Sequence, residues 1–137
     1  MYRLALLSLA VSLASCSSPA PLEYLRPAGV YQTTFGPLAL TPPDDNGNVT
    51  GLYKGDIDND AQLFGRYRAF RLTGLWWEPG RDGPCDPDED GDTYYGSFTF
   101  RFTDEGRRFE GTWSWCDGPE EEEWAGRYVR ELPQRPM

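Results

Sequence analysis

Asp86, Asp88, Asp90 and Asp92 stand at alternate positions in the stretch Asp86-Pro87-Asp88-Glu89-Asp90-Gly91-Asp92. Alternate carboxylates can converge on one hard cation where the chain turns at a glycine. Calcium is therefore the metal chemistry these residues offer. The chain has no histidine, which removes Ser-His and Cys-His nucleophile systems and any His-based zinc centre. Cys85 and Cys116 do not make a thiolate site on their own. The glycines come at strand spacing rather than in a phosphate-cradling loop. A glycosidase needs only two carboxylates, but nearly all those of this chain fall in turn segments, where their acidity should be ordinary.

The same stretch resembles the first half of an EF-hand calcium loop. Asp86, Asp88 and Asp90 match ligand positions, and Gly91 matches the turn glycine. The twelfth position is Ser97, where that pattern has a bidentate Glu, and no flanking helices are evident. The resemblance thus implies a looser calcium loop at Asp86, Asp88, Asp90 and Asp92. The alternative is a solvated acidic loop, which is also how the Glu120–Glu123 run reads. No cofactor is required.

The elements that must position these residues are strands. The triplet Gly-x-aromatic recurs at Gly29-Val-Tyr31, Gly51-Leu-Tyr53, Gly65-Arg-Tyr67, Gly74-Leu-Trp76, Gly96-Ser-Phe98, Gly111-Thr-Trp113 and Gly126-Arg-Tyr128. Positions i and i+2 of a strand share a face, so each triplet sets a glycine and a ring on one side of a sheet. A ring needs room, and a glycine on the next strand supplies it. Strands are predicted at 28–35, 37–41, 48–54, 62–68, 70–78, 93–103, 107–116 and 124–131. The fold class is all-β: an eight-stranded antiparallel meander, either a closed barrel of avidin/lipocalin type or a strongly curved sandwich.

The sixth and seventh strands fix a register. A turn at Glu105-Gly106 pairs Phe102 with Phe109, Phe100 with Gly111, Phe98 with Trp113 and Gly96 with Trp115. A slip of one residue would oppose Phe to Arg. This register brings Cys116 beside Tyr95, near the loop that holds Cys85. A Cys85–Cys116 disulfide closing about 30 residues follows, nominally worth about 3–4 kcal/mol. In an alternating meander the loops after strands three, five and seven share one rim. They hold Asp56, Asp58 and Asp60, the Asp82–Asp92 group, and Asp117 with Glu120–Glu123. Most of the 22 acidic residues therefore collect at one mouth.

Gly29-Val-Tyr31 with Phe35-Gly36, followed by Val49-Thr50-Gly51-Leu52-Tyr53, resembles the opening strands of avidin and streptavidin. Tyr53 matches a ligand tyrosine of that family. The family's Asn and Ser ligands fall on Thr33 and Pro37, so the resemblance implies the barrel and not biotin binding. The rest of the chain resembles bacterial Gly-x-Trp/Tyr β-repeat proteins in rhythm. If the glycine/ring face is inward, Tyr31, Tyr53, Tyr67, Trp76, Phe98, Trp113 and Tyr128 either fill the interior or line a small apolar ligand pocket. Leu52, Phe64, Leu75 and Trp77 then point outward. That apolar strip needs cover from the chain's own Leu22, Tyr24 and Leu25, from a protein partner or from a second copy.

Arg3, the apolar run Leu4–Leu13 and Leu13-Ala14-Ser15-Cys16 resemble a bacterial lipoprotein signal with its lipobox. The resemblance implies cleavage before Cys16, lipidation of Cys16, and anchoring on the extracytoplasmic side of a bacterial membrane. Ser17 implies the outer membrane in a Gram-negative cell. The expected organisation is a signal peptide at 1–15, lipidated Cys and Pro-rich tether at 16–27, β-barrel domain at 28–132 and C-terminal tail at 133–137. Without Arg3 the formal net charge of −9 becomes −10, which argues against nucleic acid and anionic headgroups as partners. The expected function is non-enzymatic binding or structural interaction at the membrane surface. The alternatives are a carrier of small apolar ligands and a carboxylate-dependent hydrolase.

Overall fold

The computed structural model describes residues 27–54 and 60–133. Cys16, the tether residues before Pro27, Asp56, Asp58 and the tail beyond Pro133 lie outside the described residues. The strands are β1 (Gly29–Thr33), β2 (Gly36–Leu40), β3 (Asn48–Lys54), β4 (Asp60–Arg68), β5 (Arg71–Glu78), β6 (Tyr94–Thr103), β7 (Arg108–Trp113) and β8 (Glu122–Arg130). They pair in sequence order, and β8 closes on β1. The fold is an eight-stranded antiparallel barrel rather than an open sandwich. Closure leaves no unpaired edge.

The glycine/ring rule builds the wall. Phe100 lies opposite Gly111, Phe98 opposite Gly74, Trp76 opposite Gly96 and Phe109 opposite Gly126. A Cβ at Gly111 would run into the Thr99 carbonyl and come within 2.6 Å of the Phe100 ring. One at Gly126 would run into Phe109. At Gly51 the occupying groups are Leu63 and Leu40 rather than a ring. These absent side chains let adjacent strands and inward rings approach closely enough for the sheet to curl shut.

The register of β6 and β7 is the expected one from Phe102–Phe109 to Phe98–Trp113. Regular pairing then stops, though Ser114 N–H still donates to Ser97 and Cys116 N–H to Tyr95. Gly96 lies against the Ser114 carbonyl and the Trp76 indole. Trp115 is exposed, with its ring against Trp76 and Trp113. β8 starts two residues earlier than expected because Glu122 pairs with Trp113.

Phe70 falls outside β5, contrary to the expected strand at 70–78. With Ala69 it forms a two-residue connection between β4 and β5, and both residues have positive φ, 51° and 63°. Neither is a usual turn residue, so composition does not reveal the turn.

Candidate functional site

The interior is packed by the chain's own side chains. Tyr31, Phe98, Phe100 and Phe109 are fully buried, along with Leu38, Leu40, Leu63 and Leu72. Phe100 stacks on Phe109 with centroids 4.2 Å apart, and Trp124 meets Phe100 edge-on at 5.1 Å. Of the expected pocket residues, Tyr31 packs against Tyr128, Phe109 and Phe102. Tyr53 packs against Trp124, Tyr67 against Phe102, and Trp76 against Trp113. These rings occupy each other's space. The Tyr31 hydroxyl donates to the Gly106 carbonyl at 2.8 Å, and burial raises its pKa well above the ordinary value. Trp113 Nε1 is buried without a hydrogen-bond partner.

Thr33 occupies the position that departs from the avidin pattern, and it is a structural hub. Its Oγ1 accepts from Trp124 Nε1 and the Phe35 amide and donates to the Gly36 carbonyl. All its hydrogen-bonding capacity is spent inside the wall. Phe35 and Gly36 are local partners, but the Trp124 contact spans 91 residues and leaves no sign in sequence spacing. No Asp or Glu side chain is buried among the described residues.

The acidic end is built on the disulfide. Cys85 and Cys116 are bridged, with Cα atoms 5.2 Å apart. Their amides bond to the Thr93 and Tyr95 carbonyls, so the bridge ties the loop before β6 to the segment after β7. Asp88, Asp90 and Asp92 bring carboxylate oxygens within 4.8 Å of one another, and Asp86 is not part of that group. Asp86 instead offers its carbonyl to the Tyr95 hydroxyl. Burial first, then Asp117, Asp86 and Asp88, raise the Tyr95 phenol above its ordinary pKa.

The three grouped carboxylates have different work. Asp88 Oδ1 accepts the Asp90 and Asp92 amides, each at 2.9 Å, which shapes the turn. Asp92 faces back toward the barrel, where Oδ1 accepts the Gly80 amide and Oδ2 the Trp77 indole. Calcium takes six to eight oxygens, and this donor set falls short of that number by itself. The calcium expectation requires that Ca²⁺ raise the melting temperature more than Mg²⁺ at equal ionic strength, and that D88N/D90N remove the difference. Equal effects of the two ions would mean charge screening alone. Asp92→Ala is expected to destabilise by about 1–3 kcal/mol in either ion, because it leaves the Trp77 and Gly80 donors without an acceptor. Thermal melts of the two variants separate loop architecture from ion binding.

The outer apolar strip is present in part. Leu52, Phe64 and Leu75 are exposed, and Phe64 pairs directly with Leu75. Trp77 lies beside them but is half-buried, and its indole is committed to Asp92.

The barrel is electrically divided along its axis. Asp82 to Asp92, Asp117 and Glu120 to Glu123 gather at the end where β5 and β7 finish. At the other end the arginines meet one another across the sheet. Arg68 is opposite Arg71, Arg71 opposite Arg101, and Arg108 opposite Arg127. The predicted strands contain these arginines, but strand assignment alone does not reveal that they converge. The signal was the two-residue spacing between Arg68 and Arg71, which a tight hairpin turns into a direct pair. The carboxylates near this end are Glu110, opposite Arg101, and those of the flanking turns. Asp44 accepts the Asn48 and Asn46 amides, and the Asn48 bond above all holds its carboxyl below the ordinary carboxylate range.

No family model matches the chain, and neither the curated proteins nor the solved structures compared with it yield a match.

Proposed function

We propose that this chain is a lipid-anchored, non-enzymatic envelope protein whose barrel acts through its outer wall and rims. The observation that carries this reading is the interior, where the rings of β1, β6, β7 and β8 pack on one another. An eight-stranded barrel has an interior just wide enough for such filling. The carrier reading loses its pocket residues to that packing, and the hydrolase reading lacks a buried carboxylate among the described residues. The lipobox at Leu13-Ala14-Ser15-Cys16 supplies the anchor. Several acyl chains, at about 0.8 kcal/mol per buried CH₂, hold a protein at a bilayer without a spanning helix.

Two measurements test the proposal. Cells fed labelled palmitate should incorporate it into the wild-type chain and not into Cys16→Ala, and intact mass should show cleavage before Cys16. An apolar fluorophore that brightens in dry pockets should gain no signal with the folded protein. Saturable binding that quenches the buried tryptophans would favour the carrier instead.

A further inference from the structure

The end of the barrel opposite the acidic rim combines three features. The first is Phe70, at the tip of the β4–β5 hairpin and 50% exposed. Its φ of 63°, next to Ala69 at 51°, is a conformation that glycine and asparagine take readily and a bulky side chain rarely does. The backbone there is held in place, because the Phe70 carbonyl accepts the Phe102 amide at 2.8 Å. A large apolar side chain kept at a strained, solvent-facing turn breaks local rules without any gain inside the fold, and such violations concentrate at functional positions.

The second feature is the arginine surface around that tip. Arg68, Arg71 and Arg101 form one cross-strand row that ends on Glu110, opposite Arg101, and all four are exposed, so Arg71 is the member with an arginine on both sides. Like charges placed directly opposite each other destabilise a sheet. An external anion removes that repulsion. A shallow cleft of about 400 Å³ runs between Arg66, Arg68, Ala69, Arg71 and Thr73.

The third feature is where the described chain begins. Gly29 opens β1 at this same end, paired with Leu40, and Val30 lies beside Arg130. The chain from Cys16 to Pro27 can reach at most about 40 Å at full extension. An anchor on Cys16 therefore delivers this end of the barrel to the bilayer first.

We infer that the arginine-ringed Phe70 hairpin docks on an anionic phospholipid surface. Phe70 enters the headgroup/acyl boundary, Arg68, Arg71 and Arg101 engage lipid phosphates, and the acidic rim points away. The whole-chain charge of −9 does not describe this row, where Arg71 lies between two other arginines, although Glu110 is opposite Arg101 and Asp44, Asp45 and Glu105 stand in the turns at this end. Arginine stems lie along apolar surface while their heads stay in the headgroup layer. The inference rests on the lipid-anchor reading for its geometry, and the two fail separately in the test below.

The test uses the full chain with vesicles of phosphatidylcholine alone or mixed with phosphatidylglycerol. Hydroxyl-radical labelling is read at Phe70 and at Phe64. Phe64 is 51% exposed on the side wall and serves as the internal control. Phe70 labelling is expected to fall several-fold on the mixed vesicles, to recover in high salt, and to stay near its solution value on phosphatidylcholine alone. Phe64 labelling should not change. R68Q/R71Q should weaken docking of the hairpin, read as Phe70 protection on the mixed vesicles, by about fivefold per arginine removed, with a melt no lower than wild type. A69N/F70G should melt higher than wild type, because it gives the turn its preferred residues, and yet bind less. Protection of both phenylalanines, of neither, or of Phe70 equally on both vesicle types would overturn the inference. Intact mass on the same sample reports acylation. A chain without acyl groups would remove the anchor reading while the footprint still judges the docking face.

Discussion

Gly111→Val is expected to lower the melting temperature by roughly 12 °C or more, although valine is the better strand former. The inward side of Gly111 is already taken. The Thr99 carbonyl and the Phe100 ring stand where a Cβ would go, and the Trp124 carbonyl is 3.1 Å away. Phe100 cannot yield, because it is fully buried and stacked on Phe109. The backbone cannot yield either, since β7 is paired on both sides. Overpacking a filled core costs about 1–3 kcal/mol, and backbone clashes push a site to the upper end or beyond. In a domain near 100 residues each kcal/mol moves the midpoint by about 4–8 °C. Thr112→Val is the control. Its side chain faces outward and loses only the 3.2 Å hydrogen bond to Glu120, worth about 1 kcal/mol. Equal melts for the two variants would mean that the inward face has been misassigned.

Replacing both Cys85 and Cys116 by Ser is expected to cost about 3–4 kcal/mol, from a bridge that spans 31 residues of sequence. The effect should appear as a lower denaturant midpoint, and the same shift should follow when a reductant is added to the wild type. The bridge crosses the acidic end, where the loop between Glu78 and Tyr94 contributes few buried groups of its own. Cys85, Thr93 and the Trp77–Asp92 hydrogen bond are its main attachments. Reduction should therefore raise amide exchange in that loop before it affects β1, β2 or β3. Uniform acceleration across the barrel would show that the loop and the wall unfold as one unit.

The wall was legible because one simple rule generates it. A glycine facing a ring at period two fixes strand faces, and Phe100 against Gly111 then fixes the β6–β7 register and the partner of Cys85. Four things were not legible, each for a physical reason. Thr33 bonds to Trp124 across 91 residues of sequence, and no local pattern encodes such a contact. The carboxylate of Asp92 turns inward to Trp77, whereas spacing alone groups it with Asp86 as an outward ligand. Phe70 looked like the first residue of a strand, because Ala-Phe has none of the composition of a two-residue turn. The arginine end was hidden in the same way, since its charges are scattered along the chain and meet only through cross-strand pairing.

The closing seam between β1 and β8 governs how the molecule is made. Every other strand pair joins neighbours in sequence and is reached by closing a loop of at most 15 residues. The seam joins Thr33 to Gly126, so almost the whole domain must be ordered before its hydrogen bonds form. Until then β1 and β8 are both open edges that can pair with another chain. A chain emerging vectorially from its N-terminus cannot close before β8 has appeared. Its first strand waits unpaired on one side for the entire interval. A chain truncated before Glu122 should thus persist as an open, self-associating sheet.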